Sequence, residues 1–158
     1  MAYTIALPSL SPREAVADCL YRSVTGIDGN DPELFASSVL PGKETSVIVG
    51  EHTIQGADTI TEYIMSKIMP LHTTHFITNV RVDLKDGADT ASLTANAMAY
   101  HYRPEDAYVP EAKAYVTGGL YYLDLVKDSD GLWKIKKWTL KMNWTEGERS
   151  VIFGEQGA

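Results

Sequence analysis

The sequence predicts an α+β domain in which helices come first and a long-stranded antiparallel sheet follows. Two observations carry this. Up to Pro70 the apolar residues repeat at helical spacing between capping signals, and beyond it the period falls to two, with β-branched and aromatic residues taking over. Size supplies a third, since 158 residues with 44% hydrophobic content suit one domain with a sizeable core. That domain is expected to span residues 1–158, with loosely ordered tails at 1–10 and 154–158.

Ser11-Pro12-Arg13-Glu14 has the form of a capping box, with Ser at the N-cap, Pro at the first helical position and Glu two further on. Val16, Leu20, Val24 and Ile27 then give the first helix one apolar face, until Gly26, Gly29 and Asn30 end it and leave Asp28 at its exit. Asp31-Pro32-Glu33 restarts a short helix running towards Leu40, closed by Pro41-Gly42. Residues 45–49 and 53–55 read as a small hairpin around Gly50-Glu51-His52. A third helix over 57–69 carries Ile60, Ile64 and Ile68 on one side and stops at Pro70. Residues 75–84, 90–102, 112–127 and 132–144 are long β-rich runs between Lys85-Asp86-Gly87, an acidic loop at 103–111, and Asp128-Ser129-Asp130-Gly131. These make an antiparallel meander.

The stretch from Ser92 to Tyr102 is the one with chemistry in it. Leu93, Ala95, Ala97, Ala99 and His101 share one face by the period of two, so three small residues lead up to an ionisable ring. Either they leave a pocket beside His101 or they let a helix pack close. Gly118-Gly119 in mid-strand likewise marks either a wider pocket or a bend in the sheet.

Composition excludes several classes of function. The net charge is −7 and the basic residues are scattered apart from Lys134, Lys136 and Lys137, so no patch exists to hold a phosphate backbone, and nucleic acid is not an expected partner. Cys19 is the only cysteine, which rules out an intrachain disulfide and a Cys-based zinc site and favours a reducing compartment. The first residues read neither as a signal peptide nor as a membrane span, and a cytoplasmic protein is expected. His72 and His75 form H-x-x-H, but positions i and i+3 of a strand face opposite ways, so neither a metal nor another cofactor is expected. Glu51 and His52 read as surface groups at a hairpin tip. No glycine-rich phosphate loop or serine nucleophile signal is present.

Thr74-His75-Phe76-Ile77 opening the first long strand, His101 near the end of the next, and Asp28 after the first helix resemble the scytalone dehydratase and SnoaL-like branch of the nuclear transport factor 2-like cone fold. The resemblance continues through Asp130-Gly131-Leu132-Trp133-Lys134-Ile135, Trp144, and Val151-Ile152-Phe153, covering about Asp18 to Phe153. It implies three N-terminal helices packed in a curved sheet and a closed conical pocket with two histidines and an aspartate at its polar end. On that match Asp28 orients His101, and His75 faces the same substrate. Imidazole suits such work because it titrates near neutrality, and a carboxylate fixes its tautomer.

The sequence departs from scytalone dehydratase where that enzyme holds the leaving water. Ile27, an aliphatic residue within 47–49, and Gly119 stand at the equivalent positions. The expectation is therefore a cofactor-free enzyme moving protons on an apolar, oxygenated polyketide or terpenoid intermediate, by isomerisation or cyclisation in natural-product biosynthesis. A dehydratase of the scytalone type is one alternative, and a non-catalytic binding module is another. Expected catalytic residues are His101, Asp28 and His75. The expected substrate contacts are Ala99, Thr117, Gly119, Tyr121, Trp138, Leu140, Met142 and Phe153, with Trp138, Leu140, Met142 and Trp144 on one strand face and Phe153 folding over the mouth. Tyr100, Tyr102 and Tyr122 should lie on the other sheet face, where a homo-oligomer, dimer or trimer, would form.

Overall fold

The computed structural model describes residues 2–155, so the expected loose tail at 154–158 lies mostly outside the described residues. Helix α1 spans Pro12–Asp28 and opens on the expected capping box, in which the Glu14 N–H donates to Ser11 Oγ at 3.3 Å and the Ser11 N–H to Glu14 Oε2 at 2.7 Å. Helix α2 (Pro32–Ala36) is capped by Asp31, whose side chain accepts from the Leu34 N–H. Strands β1 (Ser46–Val49) and β2 (His52–Gln55) form the small hairpin. Helix α3 (Ala57–Tyr63) loosens into a π-helical turn at Ile64–Ile68, where a single α-helix was expected. Strands β3 (His72–Asp83), β4 (Thr90–Tyr102), β5 (Tyr115–Lys127) and β6 (Trp133–Gly147) follow, then a short helix α4 (Ser150–Phe153). No helix among the described residues is long and apolar enough to cross a membrane.

Among the described residues one six-stranded sheet has the order β2-β1-β6-β5-β4-β3. It is mixed rather than wholly antiparallel, because β1 runs parallel to β6, pairing Val47 with Trp138 and Val49 with Leu140. Extra residues curl it. The register slips between Thr78 and Arg81 on β3, and again where Gly118-Gly119 faces Trp144 and Met142, leaving Asn143 unpaired. Such bulges bend a strand and increase its twist.

The concave face packs on α1. Val16, Cys19, Leu20 and Val24 meet Leu93, Ala95, Ala97, Tyr121, Leu123 and Trp138 in one buried cluster, and a second joins Ile27, Phe35, Ile60, Ile68 and Met69. Ala95 and Ala97 thus let the helix pack close, the plainer of the two sequence readings. Burial pushes the Cys19 thiol up to about 12, so it serves as core and not as a nucleophile. Arg22 is buried as well, donating to Asp18 Oδ2 at 3.0 Å, Ser37 Oγ at 2.8 Å and the Trp133 carbonyl at 2.6 Å. It ties α1 to the end of α2 and the start of β6.

The bulge at Asn143 corrects one expectation. Directly paired residues share a face, so Leu140 opposite Tyr121 and Met142 opposite Gly119 point inwards, whereas Trp144 opposite Gly118 points outwards. A Cβ on Gly118 would strike the Trp144 ring, and one on Gly119 the Lys141 carbonyl oxygen. The glycine pair is therefore a sheet bend filled by the chain itself, not a widening for a ligand. On the convex side Phe76, Met98, Gly118 and Trp144 run across four strands in one row, next to Tyr100.

Candidate functional site

Helix α1 delivers a carboxylate to the one place where its own backbone repels it. The C-terminal end of a helix carries partial negative charge, and Asp28 is the last residue of α1. The start of β3 supplies the compensation. Thr73 Oγ1 donates to Asp28 Oδ1 at 2.7 Å, the His75 N–H donates to Oδ2 at 2.8 Å, and His75 Nδ1 lies 2.6 Å from Oδ1. Strand β3 is an edge strand, so its outward N–H groups lack a ladder partner and the His75 amide is free to serve Asp28. Burial works to raise the Asp28 carboxyl. The ring and backbone of His75, with the Thr73 hydroxyl, outweigh it and hold the group below the ordinary carboxylate range.

The expected pairing of Asp28 with His101 is thereby corrected to Asp28 with His75. The physical reason is topology: α1 lies along β3, while His101 belongs to β4, the next strand inwards, and its Nδ1 sits 2.9 Å from the Tyr115 carbonyl. A carboxylate and a carbonyl only accept, so each imidazole carries a proton on Nδ1, and its neutral form keeps the lone pair on Nε2. The two rings stand edge to face with centroids 5.8 Å apart. The three residues expected to be catalytic do lie together.

The two rings differ in electrostatics. Burial drives the His101 pKa down to about 4, against a weaker lift from its bond to Tyr115. His101 is then uncharged throughout the neutral range. Its folded pKa lies below the unfolded value, so between about pH 6.5 and 4 the unfolded chain binds the extra proton and stability falls as pH falls. Thermal melting at pH 7 and pH 4.5 should give a drop in melting temperature that shrinks in His101→Asn; an undiminished drop would locate the sensitivity elsewhere.

The expected substrate contacts divide into two groups. Ala99 pairs directly with His75 on one side and Thr117 on the other, so Thr117 lies on the same inner face as the histidines. Phe153 packs edge to face on Tyr115 with centroids 6.1 Å apart, is 44% exposed, and has the Arg149 guanidinium 4.7 Å over its ring. Arg103 holds this end down by donating to Ser150 Oγ at 2.8 Å. Tyr121 and Trp138, by contrast, lie in the core against α1 with rings 5.1 Å apart, and Leu140 packs against the same cluster. Gly119 is taken up by the bulge, and Met142 is 39% exposed on the free stretch of β6.

Where a closed cone was expected, the hollow reaching the carboxylate is a groove of about 260 Å³ lined by Asp28, His72, Thr73, Thr74, Tyr100, Tyr102, Ala107 and Tyr108. A larger depression of about 590 Å³ lies by α3, lined by Ala36, Asp58, Thr61, Glu62, Met65 and Ser66, and contains none of the expected site residues. His72 is exposed on the opposite face from His75, as the period of two requires. Sequence reasoning missed Thr73 and Tyr115. Thr73 could have been found, since it shares a strand face with His75; the role of Tyr115 depends on cross-strand register.

A model of the SnoaL-like domain matches residues 8–139. The protein named "Terrestric acid biosynthesis cluster protein E" of Penicillium crustosum is 41% identical over 147 residues, covering 92% of each chain. Among solved structures, a scytalone dehydratase-like protein of Novosphingobium aromaticivorans superposes with a TM-score of 0.70 at 21% identity, covering 85% of this chain and 86% of that one. A nuclear transport factor 2-like superfamily protein of Salmonella enterica serovar Typhimurium gives 0.69 at 16% identity, covering 82% and 89%. The likeness to these structures establishes the nuclear transport factor 2-like fold.

Proposed function

The chain belongs to the SnoaL-like domain family, and from that premise we propose that it is a cofactor-free enzyme moving protons on an apolar, oxygenated small molecule. The observation that carries this reading is the Asp28–His75 pair beside a second imidazole that stays neutral. The His75 Nε2 lone pair takes a proton from carbon next to a carbonyl, and Asp28 steadies the resulting imidazolium. The same ring returns the proton at another atom. His101 Nε2 accepts a hydrogen bond from a substrate hydroxyl and thereby fixes its orientation.

One carboxylate-backed base suits a proton taken and given back, which is isomerisation or cyclisation, better than an elimination that must also protonate a leaving hydroxyl. The Penicillium crustosum relative, named for a biosynthetic cluster, supports natural-product metabolism as the setting and a polyketide or terpenoid intermediate as substrate. The test is deuterium incorporation into 2-tetralone, an apolar ketone with acidic α-hydrogens, followed by proton NMR in D₂O. Exchange above the buffer rate that requires His75 supports the reading; buffer-level exchange with both this ketone and the relative's pathway intermediates would overturn it.

We also infer that the convex face joins copies of the chain. Phe76, Tyr100 and Trp144 are 48%, 37% and 48% exposed there, a contiguous apolar strip that a second copy would cover. Light scattering at micromolar concentration should give a multiple of 17.4 kDa, falling to the monomer mass in Trp144→Glu. A wild-type monomer would remove the idea.

A further inference from the structure

We propose that Thr73 is a positioning residue, which locks the Asp28–His75 pair in its working tautomer and shuts the outer groove's water out of it. The inference rests on the reading of His75 as the proton-moving base. Asp28 Oδ1 receives two donors at once, Thr73 Oγ1 at 2.7 Å and His75 Nδ1 at 2.6 Å, while Oδ2 receives the His75 amide at 2.8 Å. Thr73 and His75 share a face of β3, so one strand grips the carboxylate at three points and fixes its plane relative to the ring.

The location explains why a hydroxyl is needed. Asp28 is 24% exposed through its side chain while the His75 ring is only 7% exposed, and Asp28 and Thr73 both line the groove beside Tyr100, Tyr102 and Tyr108. The carboxylate therefore has the buried ring on one side and solvent on the other. Thr73 Oγ1 occupies the second acceptor direction of Oδ1, where groove water would otherwise bind and let the carboxylate swing away from Nδ1. If Nδ1 loses its acceptor, the neutral ring moves its proton to Nε2, and the lone pair that takes the substrate's proton is gone.

Thr73→Val keeps the shape and removes only the donor; Thr73→Ser keeps the donor. Full-length protein labelled with ¹⁵N-histidine, free of any ligand, reports the His75 tautomer by its ring nitrogen shifts and the solvent exchange of its Nδ1–H. A hydrogen bond to a charged group is worth about 1.5–3 kcal/mol, roughly 10- to 100-fold. Thr73→Val should therefore raise Nδ1–H exchange with water at least about tenfold and bring up the Nε2–H form. Thr73→Ser should restore the wild-type spectrum. With 2-tetralone, the Val variant should lose kcat with KM unchanged and the Ser variant should recover it. Wild-type ring spectra in Thr73→Val, or failure of Thr73→Ser to restore them in a chain that melts normally, would overturn the proposal. Absence of 2-tetralone exchange in the wild type would count against the enzymatic reading alone, with the ring spectra still deciding the role of Thr73.

Discussion

His75→Ala is expected to slow deuterium incorporation by about 10² to 10⁴-fold, the usual range for loss of a positioned general base. Asp28→Asn should fall by a comparable factor. The amide cannot stabilise an imidazolium, and its NH₂ can face the ring and demand the other tautomer. Because carboxylate and ring act on one step, the double variant should be little worse than either single one. His101→Ala should behave otherwise: His101 is held neutral by burial and bonded to a backbone carbonyl, so its loss should weaken KM more than kcat. Initial exchange rates for the four variants, with circular dichroism confirming the fold, decide it. Multiplicative losses for Asp28→Asn and His75→Ala would overturn the pairing.

Arg22→Ala should be the most destabilising single change outside the site, by about 3–5 kcal/mol, because breaking a buried ion pair leaves its partners without compensation. The guanidinium is 4% exposed and reaches Asp18, Ser37 and the Trp133 carbonyl, joining α1, the end of α2 and the start of β6. Urea unfolding measures the loss. A change below about 1 kcal/mol would mean that water replaces these contacts, as it does for exposed pairs.

Much of this fold was legible because its signals are local. The capping box at Ser11, the Asp31 cap and the inward row from Leu93 to His101 follow from spacing alone, and the structure has each of them. What failed depended on long-range register. One extra residue at Asn143 reverses the strand face for everything after it, which moved Trp144 to the convex side, and no pattern within 132–144 announces it. The partner of Asp28 was misread for a similar reason. The family resemblance implied both histidines near the carboxylate, but only the packing of α1 along β3, the sheet's edge, decides which ring it meets. Arg22 gave no signal, since a charged residue within a helix ordinarily reads as its solvent side.

Strand β6 outruns its neighbour. Strand β1 stops pairing at Leu140, so residues 141–147 are hydrogen-bonded to β5 alone and are exposed on both faces. Of the groups in the proposed site, Asp28 and His75 are fixed by α1 and β3 and depend on none of it, whereas His101 leans on the Tyr115 carbonyl, and Tyr115 pairs with Gly147 at the far end of this stretch. The Asp28–His75 pair is therefore mechanically uncoupled from this margin. If Met142 meets substrate as the proposed reading has it, mutations along this half-supported margin would alter which molecules fit without touching the Asp28–His75 geometry. On that reading, a lineage carrying this scaffold changes substrates by drift at one edge and keeps its carboxylate-backed base intact.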